Sequence, residues 1–271
     1  MTYLAAKQLD GAGMIQRVVG LAREFLWREL RTRFAGSLSG GFWAVFQPLI
    51  QLGVYYFAFV FIFKVNVPGE NPPGYLPFLA AGMWPWFAFS EAVVRATTVI
   101  HENAALIGKV AVPRAVLVFA SVAASFLVHL TGFVFIIVIL CFTTNDIDLA
   151  GIAPALLLLV PLFVFALGLA LLLSAVQVFI RDLAQVLSQL MTLLMFAAPI
   201  LYSRTAMPEQ FRAAMDLHPF TFYAESSRAL LLDYGHFSYL RLLIAVVVAL
   251  AMLLIGFWAF RRLDSHFEDF L

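Results

Sequence analysis

Taken as alternating hydrophobic and polar positions, the chain begins with a polar stretch, continues through one amphipathic segment, and then runs through six apolar segments. From Ile15 the apolar positions are Ile15, Val18, Val19, Ala22, Phe25, Leu26 and Leu30, the i, i+3, i+4, i+7 spacing of one helix face. Arg17, Arg23, Glu24, Arg28 and Arg31 fall on the opposite face, with Trp27 at its edge. A cationic face, an apolar face and an interfacial aromatic predict a helix lying in the headgroup plane of a bilayer. The other reading is a cytosolic helix packed on a partner domain. The six apolar runs lie near 43–63, 75–94, 115–142, 152–180, 183–202 and 239–260. Each reaches the roughly 18–20 residues that span a hydrocarbon core of about 30 Å. Pro77, Pro85, Pro161 and Pro199 fall within or at the ends of these runs, and predict kinks where neighbouring groups take over the freed carbonyls.

The segments between the runs carry most of the polarity. Before the first, Gly36, Gly40 and Gly41 with Ser37 and Ser39 interrupt the helix at the membrane surface, because glycine is entropically costly in helices and serine competes for backbone hydrogen bonds. The link 95–114 contains HENAALIGKVAVPR and predicts a short helix, about 101–109, able to dock in a partner's groove. The segment 203–238 is rich in Phe, Tyr and Leu. Pro208 and Pro219 are placed to begin helices and Gly235 to end one. Two short helices re-entering from the outer face are expected there; a cap on the outer surface is the alternative.

Charge orients the chain. Lys7, Arg17, Arg23, Arg28, Arg31, Arg33, Arg95, Lys109, Arg114, Arg181, Arg261 and Arg262 fall on one side of the six runs, and Lys64, Arg204, Arg212, Arg228 and Arg241 on the other. The positive-inside rule then places both termini in the cytoplasm. Of 271 residues 63% are hydrophobic and 12% charged, about half the charge of a soluble domain. The expectation is an all-α integral membrane protein of six transmembrane helices, with a cytoplasmic segment over 1–41 and a membrane domain over 42–271. No small-residue cleavage site precedes the first run, so no removable signal peptide is expected. A net charge of +1 and the lack of a basic stripe argue against nucleic acid. The single cysteine, Cys141, cannot form an internal disulfide.

Catalytic motifs are absent. No histidine pair has metal-ligand spacing, and there is neither a nucleophile elbow nor an HExxH motif; neither a metal nor a cofactor is expected in this chain. Gly108-Lys109 lacks the first glycine and the hydroxyl of a phosphate loop. His129 is the one ionisable group near the middle of a run. It is either a functional site or a neutral imidazole hydrogen-bonded to a neighbouring helix; with Glu91 it would serve an ion-coupled secondary transporter. Glu91 and Arg95 are spaced for an i, i+4 ion pair. Arg181-Asp182 is expected to cap a tight turn, and Gln47, Gln51 and Gln177 to bond between helices or to a polar cargo. Aromatics form 15% of the chain. Tyr55, Tyr56, Phe59, Trp84 and Trp86 are candidates to present rings to sugars, with lipid packing and interfacial anchoring as the alternatives.

The run RTRFAGSLSGGFWAVFQP resembles the entrance signature of ABC-transporter permeases that export polysaccharides and polyol phosphates. Arg31, Arg33, Ser37, Gly40, Trp43 and Pro48 fit, and Ser39 replaces the usual leucine. Asn103, Leu106, Ile107, Lys109, Pro113 and Arg114 look like that family's cytoplasmic coupling segment, Arg181-Asp182 like its fourth-to-fifth turn, and Pro199, Ile200, Tyr202 and Pro208 like the end of its fifth span. His218-Pro219 with Arg228 resembles its outer Asn-Pro…Arg pattern, histidine replacing asparagine. The resemblance implies a homodimer with two copies of a separate ATPase subunit, which would bind ATP and Mg2+. It implies coupling to that subunit through His101, Glu102, Asn103, Leu106, Lys109 and Arg114. It also implies admission of a lipid-linked sugar at Arg31, Arg33, Ser37, Gly40 and Trp43, and an outer gate involving Tyr202, Pro208, His218, Pro219 and Arg228. The expected activity is export of O-antigen-type polysaccharide across the cytoplasmic (inner) membrane, with capsule or teichoic-acid export as the close alternative.

Overall fold

A computed structural model describes residues 11–34, 40–69, 71–107, 113–267 and 270, and every regular element among them is helical. In chain order these are α1 (Gly11–Phe34), α2 (Gly40–Phe57, continued by one π-helical turn over Ala58–Ile62), α3 (Tyr75–Glu102), α4 (Ala104–Ile107), α5 (Arg114–Thr143), α6 (Ile152–Leu157), α7 (Leu159–Gln177), α8 (Leu183–Ala197), α9 (Glu209–Leu217), α10 (Pro219–Leu232) and α11 (Tyr239–Asp264). Among the described residues three stretches are each long and apolar enough to cross a membrane: α5, the α6–α7 region and α11. The helices Phe46–Ile62 and Leu183–Ala197 are apolar but shorter.

The bundle is built around α3. From Pro77 to Phe89 it is buried on all sides, the property of a helix that is apolar around its whole circumference. It packs on α5, α7 and α10. Trp84 stacks on Phe133 of α5 and donates from its indole to the His129 carbonyl (2.9 Å). Trp86 meets Phe220 of α10 edge-on, with centroids 4.9 Å apart. On the far side α7 and α11 form the most extensive helix pair. At their crossing Gly168 and Gly256 bring backbone against backbone. A Cβ on Gly256 would stand 1.9 Å from the Gly168 carbonyl oxygen, and one on Gly168 2.4 Å from the Leu253 nitrogen. Small residues that admit such an approach are a hallmark of helix packing in lipid. The outer face of α11 exposes Leu240, Leu243, Val247, Leu254 and Trp258, an apolar surface that water does not favour.

Several expected boundaries change. The second run does not end at 94: α3 continues through Glu102, so His101 and Glu102 belong to it and only Ala104–Ile107 forms a separate short helix. The 101–109 helix is thus divided at Asn103, whose side-chain amide donates to the Val99 carbonyl (2.8 Å). Residues 108–112, including Lys109, lie outside the described residues. The fifth run ends early, at Ala197, about 22 Å at 1.5 Å per residue. Ala198 turns extended (ψ 154°) because the ring of Pro199 disfavours helix in the residue before it. The fourth run is split at Leu158; Pro161, lacking an N–H, cannot bond back to the carbonyl of Leu157. At the end of α10 the left-handed residue is Asp233 (φ 50°), not Gly235, which follows two positions later at φ 92°.

Candidate functional site: a polar cleft at the face of α2, α3 and α8

A cleft of about 860 Å³ opens between α2, α3 and α8, with α1 and α5 behind it. Its lining follows helical periodicity. Trp43, Gln47, Gln51 and Tyr55 form one stripe of α2; Ser90, Glu91, Arg95, Thr98 and Glu102 form another on α3; Ser188, Met191, Thr192 and Met195 complete it from α8. Otherwise apolar helices therefore turn amides, hydroxyls and a few rings into one shared space. Polar groups at this depth in a membrane-type helix are costly unless they face protein or water.

At its inner end a chain of charges crosses three helices. His129 of α5 contacts Glu91 of α3 (Nε2 to Oε2 2.7 Å), and Arg33 of α1 donates to the other Glu91 oxygen (2.9 Å). Arg33 also faces Glu29 (3.6 Å) and donates to the Ser125 hydroxyl, while Arg95 of α3 donates to Glu29 (2.8 Å). The expected Glu91–Arg95 pair is thereby replaced. Both residues turn to α1, because an arginine on a second helix offers Glu91 a tertiary partner and frees Arg95 for Glu29. Burial lowers the Arg33 pKa from its ordinary value; Glu91 opposes that shift, Arg95 reinforces it, and Glu29 opposes it. His129 makes the interhelical hydrogen bond of the structural alternative.

Arg31 and Arg33, two residues apart and so on different faces of α1, diverge. The Arg33 side chain is 6% exposed, whereas Arg31 lies open with Arg23, Glu24, Trp27 and Arg28 along the outside of α1. The inner face of α1, including Phe25, Leu26 and Leu30, is half-buried, and α1 packs on α5; Val18 and Val19 are exposed. Gly40 opens α2, Trp43 is exposed at the cleft mouth, and Ser37 lies outside the described residues.

Of the coupling candidates, His101, Glu102 and Asn103 lie at the C-terminal end of α3. Arg28 donates to the Asn103 side chain, and the His101 ring contacts the Gln177 carbonyl (3.3 Å). Leu106 is half-buried on α4. Arg114 begins α5 and donates to the carbonyl and carboxylate of Asp264 (2.7 and 3.0 Å). The turn between α7 and α8 is held differently from expectation. Asp182 makes no side-chain cap; the Gln177 side chain instead donates to the Arg181 carbonyl (2.9 Å) and accepts from the Ala184 N–H (3.0 Å). Gln177 thus serves the turn and not a cargo, since its two-sided amide can satisfy a free donor and a free acceptor at once.

At the opposite end, Arg228 is 2% exposed. Its guanidinium donates to the carbonyls of Phe78 (3.1 Å), Pro199 (2.6 Å) and Ile200, and lies 3.5 Å over the Phe78 ring. Tyr75 donates to Leu201 (2.6 Å) and Tyr202 to Phe196 (2.6 Å). The carbonyls of Pro199, Ile200 and Leu201, in the broken backbone after α8, thereby find donors. Gly82 makes the room, since a Cβ there would lie 2.5 Å from an Arg228 nitrogen. Pro208 precedes α9, Pro219 opens α10, and His218 caps α10 by accepting the Phe220 N–H through Nδ1 (3.1 Å). Of the aromatic candidates, Tyr55 and Trp86 line the cleft. Tyr56 and Phe59 pack beside Tyr75 at the C-terminal end of α2 and its π-helical turn. Trp84 is 1% exposed and belongs to the core.

The sequence profile of the ABC-2 type transporter family matches residues 21–232. The chain belongs to that family. Its membership makes it a membrane permease whose work is transport and not covalent catalysis, a subunit of an ABC exporter. Among its relatives is the O-antigen export system permease protein RfbA of Klebsiella pneumoniae, 26% identical over 244 residues, covering 90% of this chain and 92% of the relative. RfbA of Myxococcus xanthus is 28% identical, covering 70% and 71%. The polysialic acid transport protein KpsM of Escherichia coli is 23% identical, covering 74% and 77%. Within this ABC-2 chain, Ser90, Thr98, Ser125, Ser188 and Thr192 escaped the reading of the sequence. Their signal was a polar stripe recurring every three to four residues on apolar helices, which motif comparison does not weigh. Among the described residues no three metal-ligating side chains come together.

Proposed function

We propose that this chain is the channel-forming half of an ATP-driven exporter that moves lipid-linked polysaccharide of O-antigen type across the inner membrane. The observation that carries the reading is the cleft: amide, hydroxyl and aromatic groups on helices otherwise apolar, open on one side. A second copy facing it would close a passage with polar walls and a lipid-facing exterior. The names of the relatives support polysaccharide as cargo. In this reading six segments cross the membrane, with α3 and the shorter α2 and α8 joining α5, α6–α7 and α11, and both termini are cytoplasmic. α1 lies at the inner surface, where Arg31, Arg33, Ser37, Gly40 and Trp43 flank lateral admission of the lipid-bearing end. α9 and α10 re-enter from outside and gate the outer mouth. Two copies of an ATPase subunit bind ATP and Mg2+ and act on the inner ends of α3, α4 and α5. KpsM as a relative supports capsular polysaccharide as the second reading.

The test is biochemical. The purified chain is expected to hydrolyse no ATP, and co-expression with its ATPase to yield a stable complex. Gln51→Cys or Ser188→Cys is expected to cross-link two copies of the chain within that complex. Intrinsic ATP hydrolysis, or a complex containing one copy whose cysteines never cross-link, would overturn the reading.

A further inference from the structure

We propose that the polymer this chain exports carries no carboxylate or phosphate in its repeating unit. The inference rests on the export reading and names the substrate class that the cleft admits. Two of its three wall helices, α2 over Gly40–Phe57 and α8 over Leu183–Ala197, contain no Asp, Glu, Lys or Arg. What they turn inward is Gln47, Gln51, Tyr55, Ser188 and Thr192, groups that both donate and accept hydrogen bonds, as sugar hydroxyls do.

Charge enters the cleft from α1 and α3, and there it is unfavourable to an anion. Among the described lining residues the cations are Arg33 and Arg95. Arg33 is buried against Glu91 and Glu29, and Arg95 is paired with Glu29. Two arginines therefore meet three carboxylates, Glu29, Glu91 and Glu102, and neither guanidinium faces the cleft without a carboxylate partner. The Glu91 side chain is itself 42% exposed. Glu102, a lining residue, accepts from the Thr98 hydroxyl (2.7 Å) and has no arginine on it among the described residues. A passing carboxylate or phosphate would meet the carboxylates of Glu91 and Glu102 and, among the described lining residues, no arginine without a carboxylate partner. At physiological salt the screening length is about 8 Å, so charges across so narrow a cleft still repel. Two-fold pairing of the chain would double the number of carboxylates along the path.

Deleting the gene in its own host strands the cargo on its lipid carrier at the cytoplasmic face. The polymer is then freed from the lipid by mild acid and passed over an anion exchanger. The expected result is a polymer that flows through unretained, with no carboxylate or phosphate in its repeat by compositional analysis. A stranded polymer that is retained, with charge in every repeat, would overturn the proposal while leaving export intact. If no lipid-linked polymer accumulates at all, the export reading itself falls, and the proposal with it.

Discussion

At the scale of single residues the fold depends on a few polar side chains that satisfy broken backbone. Arg228 holds three carbonyls from two segments, and hydrogen bonds to a charged donor are worth about 1.5–3 kcal/mol each. Arg228→Ala is expected to lower the thermal midpoint of the detergent-purified chain sharply, corresponding to a loss of roughly 3 kcal/mol or more; Gly82→Val, which drives a side chain into the same guanidinium, should do likewise. A midpoint unchanged in Arg228→Ala would show that the carbonyls find other partners. His218 gives a pH effect of definite sign. Burial lowers its pKa from the usual 6.5, and only a ring unprotonated at Nδ1 can accept the Phe220 N–H. The unfolded chain binds the proton more readily, so the stabilisation is complete above about pH 6.5 and is lost as pH falls through and below that value. The loss should be about 1 kcal/mol, the worth of an N-cap. His218→Asn keeps the acceptor and should flatten the profile in thermal melts between pH 5 and pH 8 (roughly one unit and more either side of the usual histidine pKa).

At the scale of elements, two glycines and one ion network decide how helices sit. Gly168→Leu or Gly256→Leu is expected to abolish the α7–α11 contact and the yield of folded protein, whereas Gly20→Leu, with nothing within 4 Å of its Cβ, should be tolerated; size-exclusion profiles separate the outcomes. Glu91→Gln removes the charge that holds Arg33, and α1 should then exchange its amide hydrogens faster, while α5 and α7 remain protected. The same elements show what was legible beforehand. Hydrophobic periodicity located α1, α5 and α11 closely because each carries its signal within itself. Proline positions located α9 and α10 for the same reason. The partners of Glu91 were not legible: a local i, i+4 pairing competes with a tertiary one, and only packing of α1 on the bundle decides. The depth of Arg228 was equally hidden, since nothing in its neighbours announces carbonyls left free by Pro199.

At the scale of the whole molecule an apolar exterior is combined with a polar cleft between α2, α3 and α8. Truncating Tyr55 to Ala at the cleft should reduce polymer display at the cell surface severalfold while the melting midpoint holds. Trp84→Ala, in the core, should instead cost about 3–5 kcal/mol of stability and lower export only through lost protein; quantitative blotting beside surface labelling distinguishes the two.

The unbroken course of α3 has a mechanical meaning. Its 28 residues make a rod of about 42 Å. Toward its C-terminal end Arg95 and His101 are gripped by α1 and by the end of α7; near its N-terminal end Tyr75 and the Phe78 carbonyl are gripped by Leu201 and Arg228. A lever held so near both tips has little slack to absorb a push. Tilting it by about 5° would carry one tip roughly 4 Å past the other, on the order of one helical turn's rise, enough for strain at one end to be felt at the other without any helix unwinding between them.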